Sequence, residues 1–515
     1  MKSTGFTLKL ALFVTGCAGI VAEFVLSTLA TYLIGNAVFQ WTIVMSIMLF
    51  AMGAGSRVSR YVNNDLIGVF ILTELLLSVM CAFSAVVGYS LASYTADNTA
   101  FVLYSQAFCV GTLIGLEIPL VTRINEAYEE LRVNISNVME KDYYGALFGG
   151  LFFAFLALPY LGMTYTPIAL GCINFFVALL VCFNYRHLIL RKRLVIFCSA
   201  LALIIIIGLS FFSKPIILYG EQKKYKDKII YSTQSRFQKI VITQWKKYFW
   251  LYLNGQEQFS TFDEELYHEP LVHPAMMASA DHSDVLILGG GDGLAAREVL
   301  KHKNVRSITL VDLDPEMTNL AKSYPVLKEI NKDSMNSEKL KIVNEDAASF
   351  LEKSENLYGV VIIDLPDPDS VDLMHVYSET FYNMVRKHLI KGGVMVAQST
   401  SPFFATKAFL CIKKTIEAAG FSTATYQNQI PTMGHWGWVI GARSEDIKPD
   451  ALLNVIRKLD FKSINTRSLD AGAMQAMTYF GKEITGKIDE AEIKINSELS
   501  PVLYRYYLEG TWGVY

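Results

Sequence analysis

The sequence predicts two structural classes in one chain. An N-terminal polytopic α-helical membrane domain of about seven spans precedes a soluble α/β domain, whose Rossmann-like sheet follows a small antiparallel β-domain. Three observations carry this. Of 515 residues 52% are hydrophobic, mean hydropathy is +0.31, and the long apolar runs stop abruptly near residue 213. Beyond about residue 276, β-branched runs alternate with helix-period segments, the mark of a parallel sheet covered by helices. Between the two lie short aromatic and β-branched stretches broken by turn residues.

The apolar runs occupy roughly 6–34, 40–56, 66–92, 100–121, 144–158, 164–184 and 194–213. Most reach the ~20 residues that a helix needs to cross ~30 Å of hydrocarbon. The 144–158 run is short and glycine-rich, and the break at Pro159–Tyr165 predicts a hairpin with the next run. The first run is too long and too closely followed by others for a cleaved signal peptide. Three carboxylates, Glu23, Glu74 and Glu117, interrupt these runs and are expected to face the bundle interior. Interhelix hydrogen bonding is their plain role; a cation pathway is the sharper one.

Positive residues gather at Arg57 and Arg60, at Arg123, Arg132 and Lys141, and at Arg186 to Arg193. With seven spans these loops share one side with Lys2, which the positive-inside rule calls cytoplasmic. Odd parity then places the C-terminal half on the opposite side, whereas nucleotide-derived substrates made in the cytosol place it inside.

The expected domains are 1–213 (membrane), 214–275 (β-rich with a connecting helix), 276–445 (Rossmann-like) and 446–515 (a tail packed on the catalytic domain). In the second, "KIIYSTQS", "RFQKIVITQW" and "YFWLYLNG" read as strands, with Asn254-Gly255 as a hairpin signal. "FDEELYHEPLVHPAMMASA" reads as a helix broken or kinked near Pro270. In the third, five strands are expected in "DVLILGG", "SITLVDLDP", "KIVNED", "YGVVIIDLPDPD" and "GGVMVAQSTSP".

Composition excludes several functions. A net charge of −2 offers no basic face for nucleic acid. Six of the seven cysteines fall in apolar stretches and read as small buried hydrophobes. His268 and His273 in "HEPLVH" lie about 140° apart around a helix, unlike the i, i+4 pair that binds zinc, so no metal is expected. No Ser/His/Asp or Cys/His set stands out for covalent catalysis. Trp436 and Trp438 read as packing residues, with a cation cage for an ammonium as the alternative.

Ligands of such sheets bind at the carboxyl ends of the strands. After the first strand come Gly289, Gly290, Gly291, Asp292 and Gly293, a turn whose glycines allow positive φ and close approach of a nucleotide. Asp312 ends the second strand, where a carboxylate accepts from ribose hydroxyls, and Asp346 follows the third, placed for an adenine amino group or for a helix N-cap. Asp364, Asp367 and Asp369 follow the fourth. S-adenosylmethionine carries a carboxylate that these acids would repel, whereas its decarboxylated form and a polyamine are wholly cationic. Solvated turn acids are the plain alternative.

These motifs, with "LYLNGQEQFSTFDEELYHEPLVHPAM", "NEDAASF" and "VYSETFY", resemble the spermidine synthases (polyamine aminopropyltransferases), particularly their membrane-attached bacterial branch, over about 225–445. The resemblance implies transfer of an aminopropyl group from decarboxylated S-adenosylmethionine, a co-substrate and not a resident cofactor, to a diamine, putrescine by default, releasing methylthioadenosine. It implies that Gln238, Asp312 and Asp346 hold the thioadenosine beside Gly289, Gly291, Gly293 and Ala347, and that Asp292 binds the aminopropyl ammonium. Tyr267, His268, Asp367 and Gln398 are implied to line the amine site, with Asp364 as base. The expected partners are the polyamine, the lipid bilayer and a second copy in a homodimer.

Chemistry of the residues agrees. An amine with a pKa near 10 is protonated at neutral pH, so a carboxylate must take its proton before it attacks carbon. Five positions depart from the family pattern: Met433 stands where soluble members usually have a tyrosine facing the amine, Asp312 where glutamate is usual, Asn254 for an aspartate, Ala347 for a glycine, and Pro366 stiffens the loop of Asp367. A methyltransferase would share the sheet but leave the acids at 292 and 364–369 without purpose. A non-catalytic polyamine sensor or transporter is the third reading.

Overall fold

The computed structural model describes residues 2–35, 37–92, 98–126, 130–481 and 490–512. The chain divides into two compact units, Met1–Lys228 and Ile229–Tyr515.

The first unit is helical: α1 (Lys2–Ile34), α2 (Ala37–Ser59), α3 (Leu66–Ala92), α4 (Thr99–Asn125), α5 (Leu131–Phe152), α6 (Gly162–Tyr185) and α7 (Lys192–Lys224). Among the described residues six stretches are long and apolar enough to cross a membrane, and one of them, Leu131–Tyr185, has 55 residues. Straight, it would be about 80 Å long. Instead it reverses at Gly162 (φ +61°), beyond a π-helical segment that holds Pro159. Across that bend the Thr166 hydroxyl donates to the Ala157 carbonyl at 3.1 Å, a pair about 13 Å apart along a straight helix. The hairpin expected at Pro159–Tyr165 is therefore present, and it divides this stretch between α5 and α6. Glu23, Glu74 and Glu117 are all buried in the bundle. Helix α7 runs through Pro215 to Lys224, beyond the expected end at 213.

The second unit starts with four strands in the order β1 (Lys228–Gln234), β2 (Lys239–Trp245), β3 (Tyr248–Leu253) and β4 (Gln256–Ser260). Leu253 pairs with Gln256 across Asn254 (φ +51°) and Gly255 (φ +87°), the two left-handed residues of a tight hairpin turn. Helix α8 (Glu265–Ala278) is continuous across Pro270 and Pro274, so of the break or kink expected near Pro270 the break is absent. A proline lacks an N–H, so the carbonyl four residues earlier loses its helical donor. Asn428 Nδ2 donates to the Leu266 carbonyl at 2.9 Å, and the Tyr426 hydroxyl to that of Pro270 at 2.8 Å. Side chains from elsewhere in the fold thus satisfy both carbonyls.

The large sheet contains β5 (Asp284–Gly289), β6 (Ser307–Val311), β7 (Leu340–Val343), β8 (Tyr358–Asp364), β9 (Leu389–Gln398), β10 (Phe421–Ile430) and β11 (Gly434–Arg443), in the order β10-β11-β9-β8-β5-β6-β7. The five expected strands are parallel; β11 joins β9, and β10 joins β11, antiparallel. Alternation sends Val285 and Ile287 into one core and Leu286 and Leu288 into the other, with helices over both faces. These helices are α9 (Leu294–Val299), α10 (Pro315–Ser323), α11 (Pro325–Ile330), α12 (Ala347–Lys353), α13 (Glu379–Lys387), α14 (Thr406–Ala418), α15 (Pro449–Arg457), α16 (Ala471–Met477) and α17 (Leu503–Leu508). Strand order reverses between β5 and β8, which opens a crevice at their carboxyl ends.

Candidate active site

The β5–α9 turn and the end of β8 meet at that crevice. Gly289 pairs with Asp364, and Gly290 N donates to the Asp364 carbonyl at 3.1 Å. Gly289 (φ +86°) and Gly293 (φ +84°) adopt the left-handed backbone that the turn requires. Gly291 is needed for a different reason: a Cβ there would lie 2.5 Å from Asp312 Oδ2. Instead its N–H donates to that oxygen at 3.0 Å, while Asp312 Oδ1 accepts from Asp314 N at 2.8 Å. Asn331 and Ser334 brace the turn by donating to the carbonyls of Asp292 (3.0 Å) and Gly293 (2.7 Å).

The acids expected at the strand ends share one environment. Burial pushes Asp364 up to about 6, with Asp292 adding to the rise and His268 and the Tyr267 hydrogen bond opposing it. Burial raises Asp292 as well, and Asp312 to about 6. Asp367 reaches about 7 through burial, although Tyr507 and Gln398 hydrogen-bond to it. Asp369 is raised by burial and accepts from Gln256 Nε2 at 2.8 Å. Carboxylates drawn together and away from water keep their protons to higher pH than free ones do.

Helix α8 supplies Tyr267 and His268. The Tyr267 hydroxyl donates to Asp364 Oδ1 at 2.7 Å, and its ring lies against Trp438 (5.7 Å) and Trp436 (6.2 Å). Both tryptophans are buried packing residues. His268 turns Nδ1 to Glu264, 3.0 Å from Oε2. Burial alone would lower His268, but its hydrogen bond to Glu264 and the fields of Glu264, Asp292 and Asp364 raise it to about 9. The ring therefore stays charged among the acids. Glu264 in turn takes both Arg297 terminal nitrogens, at 2.7 and 2.8 Å, and against its burial is held at about 2.

Gln398, at the end of β9, donates to the Leu365 carbonyl (2.7 Å), to the Tyr377 hydroxyl (2.9 Å) and to Asp367 Oδ1 (3.3 Å). Two expected nucleoside residues are already engaged. Gln238 Nε2 donates to Asp314 Oδ2 at 2.9 Å. Asp346 caps α12, accepting from Ser349 N (2.9 Å) and pairing with His375 Nε2 (3.0 Å), which lowers it against its burial. Ala347 is buried as the first residue of that helix.

Four partners escaped sequence reading. Glu264 and Arg297 form a buried ion pair. Tyr377 lay inside a recognised motif without a role. The fourth is Tyr507, whose hydroxyl reaches Asp367 Oδ2 at 2.9 Å from 140 residues away; only the aromatic content of the tail hinted at it. Among the described residues no group of three or more His, Cys, Asp or Glu is arranged to hold a metal.

The sequence profile described as "Spermine/spermidine synthase domain" matches residues 264–451. Polyamine aminopropyltransferase 2 of Aquifex aeolicus is 42% identical over 98% of this chain and 99% of its own length. The polyamine aminopropyltransferase of Oceanobacillus iheyensis is 37% identical over 98% of this chain and 96% of its own. The crystal structure of spermidine synthase from Thermotoga maritima covers 51% of this chain and 88% of that one, at 26% identity and TM-score 0.44. With whole-length identity of this order, spanning the helical unit as well as the sheet, the chain belongs to the polyamine aminopropyltransferases.

Proposed function

We propose that this aminopropyltransferase moves the aminopropyl group of decarboxylated S-adenosylmethionine to a diamine, putrescine first, with Asp364 as the base. The observation that carries the reading is the Asp364 carboxylate, aimed by Tyr267, in the field of Asp292, at the reversal of strand order. Asp312 keeps lone pairs for ribose hydroxyls after taking two backbone N–H groups. Asp292 takes the ammonium of the aminopropyl arm, and Asp367 with Gln398 takes the far ammonium of the acceptor. Gln238 and Asp346 border the nucleoside through Asp314 and the α12 cap.

The step balances as follows. Asp364 accepts a proton from the near ammonium, and the freed nitrogen lone pair attacks the methylene beside the sulfonium. The carbon–sulfur bond breaks, its electrons go to sulfur, and neutral methylthioadenosine leaves. Spermidine keeps three positive charges and one proton passes to solvent. Alignment of the two reactants supplies several kcal/mol of the barrier reduction. The long apolar helices support insertion in a bilayer.

Full-length protein in detergent, given decarboxylated S-adenosylmethionine and putrescine, is expected to release methylthioadenosine. Release from intact S-adenosylmethionine instead would sink the reading. Asp364→Asn is expected to keep nucleoside binding and lose about 10²–10⁴-fold in kcat. Full turnover in that variant would remove the base.

A further inference from the structure

Tyr507 stands on α17, in the tail to which the sequence assigned no chemistry. Its hydroxyl and Gln398 approach Asp367 from opposite oxygens, at 2.9 Å on Oδ2 and 3.3 Å on Oδ1. The helix that presents it is tied down at both ends. At the start, fully buried Asn496 accepts from Val502 N (3.1 Å) and Leu503 N (3.3 Å) and donates to the carbonyls of Met374 and Tyr377 (both 3.1 Å). At the far end, Thr511 N donates to the Phe404 carbonyl at 2.8 Å, and Trp512 Nε1 to that of Tyr507 at 3.1 Å. The Trp512 ring lies 4.9 Å from that of Tyr507 and 5.8 Å from that of Phe404. Six residues of helix are thus held so that one phenol, 8% exposed, meets one carboxylate. Met433, at the turn between β10 and β11, packs against the core and has no hydroxyl to offer.

We infer that the C-terminal tail completes the amine site: Tyr507 is a positioning residue that orients Asp367 toward the distal ammonium of the acceptor. The inference rests on the proposal that Asp367 binds the amine. One donor on each oxygen fixes the plane of the carboxylate and leaves a lone pair on each for the ammonium. The phenol also walls the far end of the site, so the tail sets the preferred length of a linear diamine.

The test is steady-state kinetics of full-length Tyr507→Phe and Asp367→Asn, with 1,3-diaminopropane, putrescine and cadaverine as acceptors and methylthioadenosine as readout. In Tyr507→Phe the KM for the preferred diamine is expected to rise about tenfold or more, as loss of a hydrogen bond to a charged group does. The KM for decarboxylated S-adenosylmethionine and the melting temperature are expected to stay unchanged, and discrimination among the three amines to flatten. An unchanged amine KM in Tyr507→Phe, with a raised one in Asp367→Asn, overturns the inference and leaves the amine role of Asp367 standing. Both KM values rising together with a lower melting temperature also overturns it, since the tail would then be scaffold alone. An unchanged amine KM in Asp367→Asn sinks the amine-site reading on which it rests.

Discussion

Replacing Tyr267 by Phe removes one hydroxyl from the site and leaves the ring against Trp436 and Trp438. That hydroxyl is 2.7 Å from Asp364 and holds its carboxylate lower than burial would set it, at about 6. A hydrogen bond to a charged group contributes about 1.5–3 kcal/mol. At 1.36 kcal/mol per pKa unit, its loss moves Asp364 up by about 1–2 units, into the range of about 7–8. At pH 6.5 the ionised fraction then falls from about three quarters to between about a quarter and a few per cent. Near pH 9 it is almost complete in both enzymes. The measurement is kcat/KM for the diamine between pH 5 and 9.5 in full-length protein, followed by methylthioadenosine release. The acid limb is expected to shift to higher pH by that amount, whatever happens to the plateau. Coincident acid limbs would refute the argument that Asp364 must ionise and that Tyr267 assists it.

Two further outcomes are expected. Tyr426→Phe and Asn428→Ala each leave a proline-orphaned carbonyl of α8 without its donor; each is expected to cost about 1–3 kcal/mol, read by denaturant or thermal unfolding. Wild-type stability in both would mean that these bonds are incidental. The unliganded catalytic unit is also expected to lose stability as pH rises. Asp312, Asp364 and Asp367 have folded values of about 6 to 7, above their ordinary 3.8, so their contribution is complete below about 4 and is lost as pH passes through 6 to 7. His268, raised from 6.5 to about 9, contributes below 6.5 and loses that contribution as pH passes through 9. Added spermidine should restore more stability at pH 8.5 than at pH 5.5; an equal melting-temperature shift at both would contradict the linkage.

The strand ends were legible because chemistry and fold coincide there. A glycine turn after a buried strand, and acids where later strands stop, are local patterns, and the structure sets Asp364 beside Tyr267 and Asp367 beside Gln398, with Asp292 in the field of Asp364. Asn254-Gly255 was legible for the same reason, since a two-residue turn carries its own backbone demands. What escaped was long-range. Proline chemistry argued for a break or kink in α8, and Tyr426 and Asn428, 156 and 162 residues away from their acceptors, satisfy the carbonyls that continuity orphans. The strands β10 and β11 lie past the βαβ alternation that marked the others. Tyr507 sits in a segment with no strand to place it. Gln238, expected at the nucleoside, donates its amide to Asp314, a contact invisible until β1, β2 and α10 are brought together.

The prolines of α8 have a consequence for how the protein is made. A helix with two carbonyls that its own backbone cannot satisfy gains little by forming early, because water competes well for those groups until β10 arrives. Tyr267 and His268 ride on that helix, so their final positions wait for residues synthesised some 150 positions later. The emerging chain would therefore pass through a catalytically silent nascent form until the last strands close the sheet.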